Sequence, residues 1–139
     1  MQWISESPPQ WDDKKAEILG ASPAGVFRVA EAKAGDLLPG DWWRVEIDGE
    51  VVGYGWMDVT WGYAPVLVAV APSARDKGVG SFIMDQLAAE AHKQGLAYIF
   101  NVIPVAHPDP KGLSSWLQGR GFEPSSSDDR MLRRQVNRT

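Results

Sequence analysis

Cysteine is absent from this 139-residue chain. Without it there is no disulfide, no zinc held by thiolates and no cysteine nucleophile, so any group transfer must proceed without a thiol-borne enzyme intermediate. Long apolar runs are missing as well. None approaches the roughly 18 to 20 residues that cross a bilayer, and the start, Met1-Gln2-Trp3-Ile4-Ser5-Glu6, has no basic segment leading into an apolar one. Secretion and membrane insertion are therefore not expected, and a cytoplasmic location is the default. An excess of positive charge is also lacking. The 14 basic and 18 acidic side chains leave a net charge of −4, which argues against a nucleic-acid binder that works through bulk electrostatics. The chain has no internal repeat and no low-complexity tract, and the Glu-Pro-Ser-Ser-Ser-Asp-Asp stretch at 123–129 reads as a turn.

What is present suffices for a single domain over residues 1–139, since a chain of this size buries roughly 65 to 70% of the surface it exposes when unfolded. Charge is unevenly divided. Residues 1–70 hold eleven acids and five bases (5 − 11 = −6), whereas residues 71–139 hold seven acids and nine bases (9 − 7 = +2), so an anionic ligand sits more easily on the second half.

The opening is extended, and 11–19 carries Trp11, Lys15, Ile18 and Leu19 at the spacing of a short helix stopped by Gly20. Residues 21–40 read as a loop with a helical turn. From Asp41, two strand-like runs flank Asp48-Gly49, a pair that supplies the positive φ angles of a tight hairpin. Gly53 and Gly55 in the second run suggest a bulge. The continuous apolar run at 64–71 fits a strand covered on both faces. After Pro72, residues 79–94 show a 3.6-residue apolar stripe (Val79, Ile83, Leu87, Ala91) closed by Gly95. Residues 97–103 form another strand candidate, 113–118 a short helix, and 131–136 a closing edge strand. Trp42, Trp43, Trp56 and Trp61 are expected in the core, although with Tyr54 and Tyr63 some of them could wall a substrate pocket.

The informative segment joins the apolar strand to the amphipathic helix through Arg75, Asp76, Lys77, Gly78, Val79, Gly80 and Ser81. The first amides of a helix have no internal acceptor and sit at the positive end of its dipole, so they can donate to phosphate oxygens. Glycines at 78 and 80 allow close backbone approach, and Arg75 and Lys77 add charge-assisted contacts. Two phosphate motifs are excluded by spacing. Gly78 is followed by Val79 where a Walker A loop needs lysine, and Ile83 stands where a dinucleotide fingerprint needs its third small residue.

What remains, Arg75-x-x-Gly78-x-Gly80, resembles the signature of the GNAT superfamily of acyl-CoA-dependent N-acyltransferases. Gly121-Phe122 after the short helix supports the resemblance, which spans about 41–136. It implies an α/β (α+β) fold, with a mixed, mostly antiparallel twisted sheet of about six to seven strands flanked by helices and splayed between the fourth and fifth. It also implies acetyl-CoA as co-substrate, with no metal. The loop amides of residues 75–81 would hold the diphosphate, and exposed backbone at Val68 and Val70 would pair with the pantetheine arm. An N–H there would serve the oxyanion.

Members of the family often place a tyrosine four residues before the Gly of Gly-Phe to protonate the leaving thiolate, where this chain has Leu117. The two positions at which members carry a basic glutamate hold Ala64 and Asn101. Candidates for catalytic roles are therefore Asn101, which could orient an amine or a water, His107, and Asp58. The expected reaction is direct attack of a primary amine, from a small-molecule or amino-acid-like acceptor, on acetyl-CoA. The alternative is a CoA-binding sensor without turnover, and a weaker third option is a domain for another phosphate ligand. No nucleic-acid or membrane partner is expected, and a homodimer is a possibility.

Overall fold

A computed structural model describes residues 1–20, 33–105 and 107–137. The elements run β1 (Gln2–Glu6), α1 (Asp13–Gly20), β2 (Asp41–Ile47), β3 (Glu50–Met57), β4 (Tyr63–Val70), a single 3-10 turn (Pro72–Ala74), α2 (Val79–Lys93), β5 (Tyr98–Val102), α3 (Pro110–Gln118), β6 (Glu123–Pro124) and β7 (Met131–Gln135). The seven strands form one sheet in the order β1-β2-β3-β4-β5-β7-β6, antiparallel everywhere except between β4 and β5.

The hairpin turn has φ of 52° at Asp48 and 81° at Gly49, the positive angles that Asp-Gly tolerates. A bulge does fall in the second run. Val45 pairs with Gly53 and Glu46 with Val51, which leaves Val52 of β3 as the extra residue, while Gly53 and Gly55 also mark close approach: a Cβ at Gly53 would meet the Ala69 carbonyl at 2.8 Å, and one at Gly55 would meet the Trp3 ring at 2.8 Å and Ile83 Cγ2 at 2.9 Å. Their missing side chains let α2 and the stacked Trp3–Trp43 pair settle onto this face.

The opposite face of β3 and β4 is covered by α1. Its buried stripe is Lys15, Ile18 and Leu19, with Trp11 buried two residues before the helix, so a lysine occupies a core position. Lys15 is 1% exposed, and its Nζ donates to the Gln10 carbonyl (2.7 Å) and to Asp12 (3.0 Å). A further contact with Glu6 at 2.7 Å is an ion pair without hydrogen-bond geometry. The ammonium also lies 5.0 Å from the centre of the Tyr54 ring. Burial, together with the Asp12 and Glu6 carboxylates, holds the Tyr54 hydroxyl well above the ordinary phenol range.

Several sequence expectations are corrected. The 131–136 segment is not an edge, because β6 pairs outside β7; the sheet's edges are β1 and β6. The N-terminal residues contribute strand β1 as well as helix and loop, since its pairing with β2 satisfies backbone that would otherwise be extended and bare. Helix α3 begins at Pro110, three residues early, because Asp109 caps it by accepting from Gly112 N–H at 3.0 Å. Trp61 is 93% exposed and not core, thrown outward by a turn in which its own φ is 48°. The loop expected at 21–40 lies outside the described residues as far as residue 32.

Candidate active site

The two parallel strands β4 and β5 pair over only three positions, Tyr63 with Tyr98, Ala64 with Ile99 and Pro65 with Phe100, and then part. One residue further on, the Asn101 side-chain N–H donates to the Val66 carbonyl at 2.9 Å. A side chain thus closes the ladder at the point where the strands separate. On β4, the Pro65 carbonyl accepts from Asp58 N–H and the Ala71 N–H donates to Val52, so the odd-numbered peptide groups face β3. By alternation the groups of Val66, Val68 and Val70 face the gap. Asn101 occupies the Val66 carbonyl, and past Pro65 no strand among the described residues pairs with β4 on that side, so Val68 and Val70 offer backbone donors and acceptors to whatever enters.

At the far end of β4 the chain makes the 3-10 turn, takes positive φ at Asp76 (63°) and Gly78 (80°), and enters α2. The first helical bond is Phe82 N–H to the Gly78 carbonyl at 3.0 Å. The amides of Val79, Gly80 and Ser81 therefore precede any intrahelical acceptor. Among the described residues nothing lies within 4 Å of a Cβ built on Gly78, so that side is open. Gly80 is different. A Cβ there would come within 3.1 Å of Trp116 Cζ2 and 3.7 Å of Val70 Cγ2, so glycine makes room for the α3 tryptophan over the start of α2.

Trp116 carries Arg120, whose guanidinium carbon sits 4.0 Å from the centre of the indole. Arg120 Nε donates to Ser81 Oγ at 2.9 Å and Nη1 to the Trp116 carbonyl at 2.8 Å, which brings a cation to the first turn of α2 with Nη2 still available. Sequence reasoning missed Arg120. The sole local hint was its place beside Gly121-Phe122.

These elements enclose one continuous cavity of about 520 Å³. Its floor is Leu67, Val68, Ala69 and Val70; one end is Arg75, Asp76, Gly78, Val79, Gly80 and Ser81; its far side is Leu113, Trp116, Leu117 and Arg120, with Asn101 at the parting of the strands and His107, from the loop after β5, also lining it. Of the residues singled out from the sequence, two stand apart: Lys77 is exposed and does not line the cavity, and Asp58 is exposed beyond the end of β3. Leu117, at the position where a tyrosine acid was sought, is 1% exposed in the core.

His107 Nδ1 accepts from Asp109 N–H at 2.9 Å, and the His107 backbone N–H donates to the Pro104 carbonyl at 3.1 Å. With its Nδ1 lone pair engaged, the neutral ring carries its proton on Nε2. Among the described residues no group of acidic or histidine side chains is placed to hold a metal ion, and no helix is long and apolar enough to cross a membrane.

A mixed sheet parted between its two parallel neighbours, with a glycine-opened helix N-terminus at one end of the gap, defines a GNAT-type fold. Residues 39–124 match the acetyltransferase (GNAT) domain family, which is more than half of the chain, and the chain belongs to that family. No curated protein matches it in sequence. Among solved structures it is similar to a GNAT-family protein from Desulfovibrio desulfuricans (16% identity, 70% of this chain and 71% of the other, TM-score 0.61). The ribosomal-protein-S18-alanine N-acetyltransferase of Escherichia coli matches over 99% of this chain and 96% of its own, with 13% identity and a TM-score of 0.63. N-acetylglutamate synthase of Neisseria gonorrhoeae, in complex with coenzyme A and N-acetyl-glutamate, matches with 18% identity and a TM-score of 0.70. The match covers 99% of this chain but 36% of that synthase. At these identities the likeness is one of fold.

Proposed function

We propose that the protein is an N-acetyltransferase that moves the acetyl group of acetyl-CoA to a primary amine of a small or amino-acid-like acceptor. The observation that carries this reading is the continuity of the cavity. Free strand backbone at Val68 and Val70 and free helix amides at Val79, Gly80 and Ser81 border the same space. A diphosphate with a long amide-bearing arm needs those two donor sets at opposite ends of one channel. The residues fit the coenzyme: the α2 amides and Arg120 suit the diphosphate, the open side of Gly78 admits it, and Val68 and Val70 suit the arm's amides.

The amine attacks the thioester carbonyl directly, because the chain has no thiol to carry the acetyl group. An N–H of β4 facing the gap stabilises the negative oxygen that develops, an effect worth about 3 to 4 kcal/mol where a single such donor has been removed. Asn101 acts by holding the mouth of the gap, since its amide is bound to the Val66 carbonyl. Asp58 lies outside the cavity, so any role it has is toward the incoming amine. The location that suits this chemistry is the cytoplasm.

The buried Leu117 favours a second reading, a CoA-binding sensor without turnover. Native mass spectrometry of the purified protein tests for bound coenzyme, and thiol release from acetyl-CoA across a panel of amines and amino acids separates the readings. Bound coenzyme with no thiol release by any amine favours the sensor. No affinity for coenzyme removes both.

A further inference from the structure

Among the described residues four titratable side chains line the cavity: Arg75, Asp76, Arg120 and His107. The first two belong to the loop before α2, and Arg120 is bonded to Ser81 in the first turn of that helix. His107 alone among them comes from the loop after β5, the strand that carries Asn101 at the point where β4 and β5 part.

We infer that His107 donates a hydrogen bond through Nε2–H to the departing sulfur, and is not the base that removes the amine proton. This rests on the transferase reading above. A base needs a free lone pair. The Nδ1 lone pair of His107 accepts from the Asp109 amide at 2.9 Å, so the neutral ring presents N–H, and not a lone pair, on its other nitrogen. The same contact orients the ring, because Asp109 is held in turn by its cap on Gly112 at 3.0 Å. Another donor, such as a tyrosine on α3, is not available at position 117.

The proton balance closes with a donor alone. The amine nitrogen forms the C–N bond and releases its proton to water, and the C–S bond breaks with its electron pair going to sulfur. A thiol of ordinary pKa, about 8.5, leaves as a thiolate at modest cost when one N–H meets it.

Two substitutions separate the ring's edges. His107→Asn puts a carbonyl where Nδ1 was, keeping an acceptor for Asp109 N–H while deleting the Nε2 donor. His107→Gln places a side-chain N–H near the Nε2 position. The expected result, from thiol-release kinetics with acetyl-CoA and the best amine of the panel, is a kcat about tenfold to a hundredfold lower for His107→Asn, recovery of most of that loss by His107→Gln, and an unchanged coenzyme Kd by calorimetry for both. The pH profile of kcat/KM keeps its shape in His107→Gln. The assignment is overturned if both variants are equally impaired, as a base would require, if neither is impaired, or if the loss appears in coenzyme Kd and not in kcat. Thermal unfolding with and without CoA shows that each variant is folded. A wild-type chain that releases no thiol with any amine fails at the earlier step and overturns the transferase reading together with this one. An active wild type matched by His107→Asn overturns only the role of His107.

Discussion

Replacing Arg120 with alanine tests whether α3 contributes to the phosphate end of the cavity. The guanidinium is half-buried, stacked on Trp116 at 4.0 Å and tied to Ser81 Oγ at 2.9 Å, so its position beside the free α2 amides is set by three contacts and not by chance. A charge-assisted hydrogen bond contributes about 1.5 to 3 kcal/mol net, and partial exposure reduces this to about 1 to 2 kcal/mol. At about 1.4 kcal/mol per tenfold, Arg120→Ala should weaken coenzyme A binding by roughly 5- to 30-fold. Titration calorimetry with two ligands makes the test specific. Coenzyme A should lose affinity, while an acetylated pantetheine without phosphates should bind the variant as it binds the wild type. The difference should shrink as salt is raised, because the lost contact is ionic. Arg120→Lys should fall between, since it keeps the charge but not the planar fork or the stack. Equal weakening toward both ligands would mean that Arg120 merely props Trp116 and α3, and no weakening toward either would remove it from the site.

Gly80→Trp should abolish coenzyme binding, because a side chain at 80 points at Trp116 and must push it, with the Arg120 stacked on it, away from the first turn of α2; binding isotherms measure the loss, and melting curves should show a folded but less stable chain. Lys15→Ala should destabilise the fold by up to about 3 kcal/mol, the low end for breaking a buried pair, since it leaves the nearly buried Glu6 carboxylate only its longer 3.6 Å contact with Arg44, and chemical denaturation measures it. Stability should also fall as pH rises above about 10. Tyr54 keeps its proton when folded and loses it near that pH when unfolded, so over this window the unfolded chain binds fewer protons and gains on the folded one. Tyr54→Phe should flatten that part of the pH profile of the melting temperature.

The strand, loop and helix at 63–93 were legible in the sequence because they depend on consecutive residues. An unbroken apolar run asks for cover on both faces, Pro72 ends it, two glycines open the turn, and a 3.6-residue stripe buries one side of the helix beyond. The phosphate-binding character of the loop is equally local, since it comes from amides that no preceding turn can satisfy. The Asp48-Gly49 hairpin belongs to the same category. Strand β1 and the inner position of β7 were not legible, because a short strand's place in a sheet is settled by which edge remains to be paired after the rest has assembled.

The candidate site shows the same division more sharply. Residues 75–81 could be named from the chain alone, but the contacts that complete the cavity join Asn101 to Val66 and Arg120 to Ser81, separations of 35 and 39 residues. Composition and spacing say that an asparagine in an apolar strand needs a partner, without saying that the partner is the carbonyl at which two parallel strands separate. They present His107 as a candidate base, without showing that the Asp109 amide already engages Nδ1. The sequence by itself determined the elements and the phosphate loop, because those arise from forces between near neighbours. Only the tertiary structure decided which side chains face the cavity and with which atoms, because that depends on how the sheet brings distant strands and helices together.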